Sequence, residues 1–193
     1  MRDTGFNPIW WLGTYALGDD PDGESLRGRI APSEAPQSDS DDFRFLQGNV
    51  HDENAYAIGG VAGHAGLFSS ARDLAIFAQM MLNGGHYGGR RLVREETVRE
   101  FTRRASEKST RALGWDTPGK DSSAGEYFSA RSFGHTGFTG TSVWIDPERD
   151  VFVVLLTNRV NVSPYNDQHV PMRRDLRDAV QKAIRDKPVE NRK

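Results

Sequence analysis

The stretch Val151-Phe152-Val153-Val154-Leu155-Leu156 is apolar at every position. A run of this kind, rich in β-branched residues, predicts a strand covered on both faces. Thr141 to Ile145 reads as its partner strand, and Asp146-Pro147-Glu148-Arg149-Asp150 has the chemistry of a hairpin turn between them. Arg131 to His135 reads as a further strand, and Ala112 to Trp115 as a short one. Helical spacing flanks this β block. Leu74, Phe77, Met81 and Leu82 recur at the helical period. Ser70-Ala71-Arg72-Asp73 fits the Ser-x-x-acid capping pattern ahead of them, and Asn83-Gly84-Gly85 stops the helix. A second, charged helix is expected from about Glu95 to Arg103, with Val98 and Phe101 inward. The last element is amphipathic. Met172, Leu176, Val180 and Ile184 share one face, Arg and Asp the other, and Pro171 suits the first turn.

The N-terminal third patterns differently. Residues 1–17 hold Trp10, Trp11, Leu12 and Tyr15, enough apolar surface to pack on something. Residues 18–48 carry Asp19-Asp20-Pro21-Asp22-Gly23, Pro32, Pro36 and Asp39-Ser40-Asp41-Asp42, which predicts a long surface loop. Gly59 to Phe68 is a glycine-rich turn system. It is not a phosphate loop, because it lacks the Lys-Ser/Thr ending and a preceding apolar strand.

Composition narrows the classes. The chain has 193 residues, a length that suits one domain, and 36% hydrophobic residues could fill a core. A formal net charge of -2 gives no electrostatic reason to expect nucleic acid or a membrane surface as partner. The lack of cysteine excludes disulfides, thiolate metal sites and a cysteine nucleophile. No apolar run reaches the length of a membrane span, and Met1 to Pro8 shows no charged-then-apolar signal pattern.

The candidate chemistry centres on His135-Thr136-Gly137-Phe138. A substrate carbonyl lying along an exposed strand edge needs a backbone N–H for its oxyanion, and Phe138 would lend one. Gly137 would keep the edge open, and Thr136 and His135 would hold a carboxylate or relay a proton. The simpler expectation for such a triplet is a turn before a strand. His51-Asp52-Glu53 and His64, taken with His135, raise a metal site as an alternative. Their spacing matches no metallohydrolase motif, so polar loop residues shaping a pocket mouth are the plainer expectation, and no metal or other cofactor is expected. Ser69, Ser70 and Asp73 read as a helix cap, Met80 and Met81 as helix core, and Trp144 as a packed sheet residue.

Taken in order, these segments resemble the β-lactamase-related serine hydrolases, the penicillin-recognising enzymes close to class C β-lactamases and their esterase relatives. Met1-Arg2-Asp3-Thr4-Gly5-Phe6 is similar to the family's Leu-Gly-Met-x-Asp-Thr-x-Phe. Gly63 to Leu74 is similar to its Ala-Gly-Gly-Leu-x-Ser-x-x-Asp-Leu segment. His135-Thr136-Gly137 resembles the third active-site motif, where β-lactamases have Lys-Thr-Gly, and Gly134 to Asn158 resembles the two closing strands. The resemblance implies an α/β fold in which an antiparallel sheet is flanked by helices. It implies that 1–193 is the C-terminal part of one such domain, beginning inside a longer reading frame. The implied activity is cleavage of an ester or amide through an acyl-serine intermediate. The substrate would be a small or peptide-like molecule, with His135 catalytic. Thr136, Gly137, Phe138, His64 and Asp52 would be substrate-binding. The family's Ser-x-x-Lys and Tyr-x-Asn motifs do not occur in the chain, so it is predicted inactive alone. A non-catalytic binding or sensor module of the same fold is the alternative.

Overall fold

The computed structural model describes residues 29–34, 47–120, 122–161 and 163–186, and the backbone of residues 10–11. Most of the loop expected over 18–48, and the expected packing of Leu12 and Tyr15, lie outside the described residues. The chain divides into two compact units. The first contains Ala71–Leu156 and Gln168–Lys193 with Met1–Phe6; the second contains Asn7–Ser70 and Thr157–Asp167.

The first unit is built on a three-stranded antiparallel sheet of β5 (Phe133–Thr136), β6 (Ser142–Asp146) and β7 (Val151–Leu155), in that order. Trp144 pairs with Gly134 on one side and with Val153 on the other. The Asp146–Asp150 turn closes the predicted hairpin, with Asp150 at a φ of 55°. Side chains alternate across a pleated sheet. Phe133, Val143, Ile145 and Phe152 therefore face one side. There they pack with Ala78, Met80 and Met81 of the helix Ala71–Leu82 and with Val98 of the helix Glu95–Thr102. Trp115 completes this layer, edge-on to Phe133 at 5.1 Å and stacked on Phe77 at 6.2 Å. Trp144 and Val153 face the other side and pack with Ala124, Phe128 and Val180. Numbered in chain order, the helices are α1 (Glu53–Ala57), α2 (Ala71–Leu82), α3 (Glu95–Thr102) and α4 (His169–Ala183).

Three expectations are corrected. Ala112–Trp115 is a turn, not a strand: Ala112 N–H donates to Trp115 O at 2.9 Å, and Gly114 takes a φ of 78° that favours glycine. Phe101 is 47% exposed, because α3 turns only Val98 fully inward. β7 is packed on both faces, Phe152 in one cluster and Val153 in the other, but only Val153 is buried and its other four residues stay partly exposed.

The third correction concerns α4, whose buried face is Arg173, Arg177 and Gln181, while Met172 and Leu176 are exposed. The reason is hydrogen-bond demand. The loops under α4 present backbone carbonyls, and a guanidinium offers five donors to them. Arg177 donates to Ser123 O, Ser142 Oγ and Arg173 O, and lies 5.9 Å from the Trp144 ring centre. Burial pushes its pKa down to about 10, with the neighbouring Arg173 charge adding to the effect.

Gly88-Gly89 turns a short hairpin of β3 (His86–Tyr87) and β4 (Arg90–Arg91). In the second unit, β1 (Trp10–Trp11) pairs antiparallel with β2 (Leu67–Phe68). A small core of Val50, Ala55 and Ala62 lies around α1. Gly66 is needed there, since a Cβ would overlap the Gly60 carbonyl oxygen.

Candidate active site

The outer edge of β5, away from β6, begins at Gly134. Asp116 and Gly134 exchange backbone hydrogen bonds of 2.7 and 2.9 Å. The edge is therefore closed at Gly134, and by the two-residue repeat the polar groups of Thr136 face the same way one step further on. The close pairing also fixes where the turn Arg111–Asp116 lies, because its two ends bridge to each other. Arg111 is thereby carried to the exposed end of β5.

There Arg111 Nη1 is 2.9 Å from His135 Nε2, and His135 Nδ1 is 2.8 Å from the Thr136 carbonyl oxygen. A guanidinium has only donors and a carbonyl only acceptors. The first contact is a hydrogen bond only if Nε2 carries a lone pair. The second is one only if Nδ1 carries the proton. Both partners thus select one neutral tautomer, Nδ1–H, in which each ring nitrogen is engaged. Besides Arg173, which grips the Gly137 carbonyl, a second positive charge stands beside the His-Thr-Gly triplet, that of Arg111. Among the described residues no carboxylate lies within ion-pairing distance of it. Sequence reasoning missed Arg111. It sits 24 positions before its histidine partner, and no local pattern marks it.

Beyond Thr136 the chain turns back through Gly137 to Thr141. Gly137 N–H donates to Thr141 O at 2.8 Å and Gly140 N–H to Gly137 O at 3.1 Å. A Cβ at Gly137 would overlap Thr141 Oγ1, so the position has no room for a side chain. On the α4 side of the sheet, Thr136 opens on a cleft of about 480 Å3, lined also by Thr110, Asp116, Lys120, Ser122 and Arg173. Its walls are hydroxyls, two cations and one carboxylate, a surface suited to a polar, anion-bearing molecule rather than an apolar one.

His64 and Asp52 lie in the second unit. Asp52 caps α1, accepting from Ala55 N–H at 2.8 Å, and His64 Nε2 lies 3.0 Å from the same carboxylate. The backbone N–H of Ala55 and the His64 hydrogen bond hold the Asp52 pKa below its ordinary value. His51 lies 3.4 Å from Glu34. The three histidines weighed as metal ligands therefore have three different partners. Among the described residues no group of three histidine or carboxylate side chains is gathered as a metal would need.

A sequence profile of the Beta-lactamase family matches residues 15–176. The chain therefore belongs to the Beta-lactamase family, and with it to the β-lactamase-related serine hydrolases. Proteins of Salmonella gallinarum and Salmonella paratyphi B, both described as candidate D-alanyl-D-alanine carboxypeptidases, are each 49% identical to it over 118 residues. That alignment covers 59% of this chain and 27% of each relative, so the chain spans about a quarter of the length of those relatives. A β-lactamase from Mycobacterium bovis is similar in structure, with a TM-score of 0.50 and 25% identity over 60% of this chain and 44% of that one. The fold is the mixed helix and antiparallel-sheet arrangement of that family. Among the described residues no helix is long and apolar enough to cross a membrane.

Proposed function

We propose that this chain supplies the substrate-anchoring wall of a serine hydrolase that acts on peptide-like substrates ending in a free carboxylate. The observation that carries the reading is the Arg111–His135 contact of 2.9 Å. It leaves a guanidinium fixed in direction, with four further N–H donors, at the exposed end of β5. A carboxylate laid there meets a cation held in one orientation. His135 is then an acceptor that aims Arg111, with Thr136 as the second anchor.

The rest of the reaction follows from the family's chemistry. A serine hydroxyl adds to the substrate carbonyl, and the Phe138 N–H stabilises the oxyanion. The C–N or C–O bond breaks, the leaving group takes a proton, and water releases the acyl group from serine. The nucleophile and its lysine come from a Ser-x-x-Lys segment, which this sequence does not contain. The names of the Salmonella relatives support a D-alanyl-D-alanine terminus as the substrate end. His64 and Asp52 take no chemical step in this reading.

The test joins this chain, in one polypeptide, to a segment of the Salmonella gallinarum relative that carries the nucleophile. Acyl-D-alanyl-D-alanine is compared with its C-terminal amide. The free acid should be preferred, and Arg111→Ala should lower kcat/KM for the acid by about tenfold to a hundredfold while sparing the amide. Equal turnover of acid and amide, or an unchanged preference in Arg111→Ala, would remove the basis for this reading.

A further inference from the structure

We propose that Arg173 is the positioning residue of the β5–β6 turn, holding it so that the backbone N–H of Phe138 is aimed at the reacting oxygen. The proposal rests on the reading of Phe138 as an oxyanion donor. Its physical core is a convergence of acceptors. Arg173 Nη2 donates to Gly137 O at 2.7 Å and to Thr141 O at 2.8 Å, and Nε donates to Gly140 O at 3.2 Å. Three carbonyls from five consecutive residues are thus gathered on one planar group.

The turn needs such a partner. Gly137 and Gly140 leave its backbone permissive, and Gly140 sits at a φ of 114°. Its own backbone offers two closing hydrogen bonds, and both use carbonyls that Arg173 also grips. An oxyanion donor works only if it lies about 2.7–3.1 Å from the oxygen as charge develops, so a turn free to tilt by an ångström would lose the contact. A guanidinium fork fixes a plane, whereas an ammonium is a point charge on a flexible stem.

The helix needs the turn as well. Arg173 is only 6% exposed, and Arg177 brings a second buried cation one helical turn away. The carbonyl dipoles of residues 137, 140 and 141 offset the cost of holding the Arg173 charge away from water. The dependence is mutual: α4 seats on the turn through Arg173, and the turn is shaped by α4.

The test uses the 193-residue chain, labelled with 15N. Amide hydrogen exchange is measured in the wild type, Arg173→Lys, Arg173→Met and, as a control, the exposed neighbour Arg174→Ala. The Gly137 and Gly140 amides should exchange on the order of tenfold to a hundredfold faster in both Arg173 variants. The Phe138 amide signal should shift with them, while Trp144 and Val153 change by less than about twofold. Unchanged Gly137 and Gly140 amides would overturn the proposal. So would a uniform acceleration that includes Trp144 and Val153, since that is loss of packing. If neither variant folds, the wild type decides: rotation of the Arg173 guanidinium should be much slower than that of Arg174, and equal rotation would overturn the clamp. None of these readouts depends on turnover, so failure of the hydrolase reading would leave this result interpretable.

Discussion

Gly134→Ala is a small change that should have a large effect. A Cβ at this position would overlap Trp144 Cδ2 and the Val143 carbonyl oxygen, and would lie 2.6 Å from Trp144 Cγ. The indole cannot step aside. Trp144 is fully buried, its Nε1–H donates to Ser123 Oγ at 3.1 Å, and Phe128 packs edge-on at 6.2 Å. Nor can the carbonyl move without breaking the β5–β6 ladder at its centre. Overpacking a rigid core costs about 1–3 kcal/mol and sometimes more. The entropy that alanine removes from the unfolded chain returns roughly 0.4–1 kcal/mol. A net loss of about 1–2 kcal/mol is therefore expected, read as a fall in Tm of roughly 2–8 °C. The assay is thermal and urea unfolding followed by tryptophan fluorescence. Gly63→Ala, where nothing lies within 4 Å of the added methyl, is the control and should be neutral or slightly stabilising. A Gly134→Ala protein as stable as the wild type would refute the close approach of β5 to Trp144.

Three further outcomes follow from the same geometry. Gly137→Val should distort the turn against Thr141 Oγ1 and, in the nucleophile-bearing polypeptide, reduce turnover of acid and amide substrates alike; full turnover would mean that the strand end does not meet substrate. Arg177→Ala should destabilise by about 3 kcal/mol in urea unfolding, because it leaves Ser142 Oγ and Ser123 O without their buried donor; a loss under about 0.5 kcal/mol would contradict that network. Asp52 should titrate below its ordinary value of 3.8. Its folded pKa is depressed, so the α1 cap is fully present above the unfolded value and is lost as pH falls through the folded one. A carboxyl NMR midpoint at or above the ordinary value would show that the Ala55 and His64 contacts do not form in solution.

Local patterns made β6, β7 and α2 legible, because period two, period 3.6 and turn chemistry all act within a few residues. The run Val151 to Leu156 showed the strand but not how far it is covered, which depends on what packs against each face. In α4 the usual inference failed for a physical reason. Periodicity sends arginine to solvent, yet Arg173 and Arg177 are buried because carbonyls more than thirty residues earlier in the chain demand donors. Gly114 was a visible warning that Ala112–Trp115 would turn rather than extend, since its φ of 78° suits few other residues. At the site, His135-Thr136-Gly137 could be picked out as a motif. Its cation could not, because Arg111 reaches His135 only through the pairing of Asp116 with Gly134.

Which nitrogen of His135 carries the proton decides whether Arg111 can donate to it. If Arg111 provides the charge and His135 accepts from it, a long-range 1H–15N spectrum near neutral pH must show Nδ1 protonated and Nε2 bare. Arg111→Ala leaves only the Thr136 carbonyl to favour Nδ1–H, so the share of the Nε2–H tautomer should rise. A wild-type spectrum with Nε2 protonated would mean that Arg111 does not donate to His135, and would contradict the assignment of Arg111 as the cation of this wall.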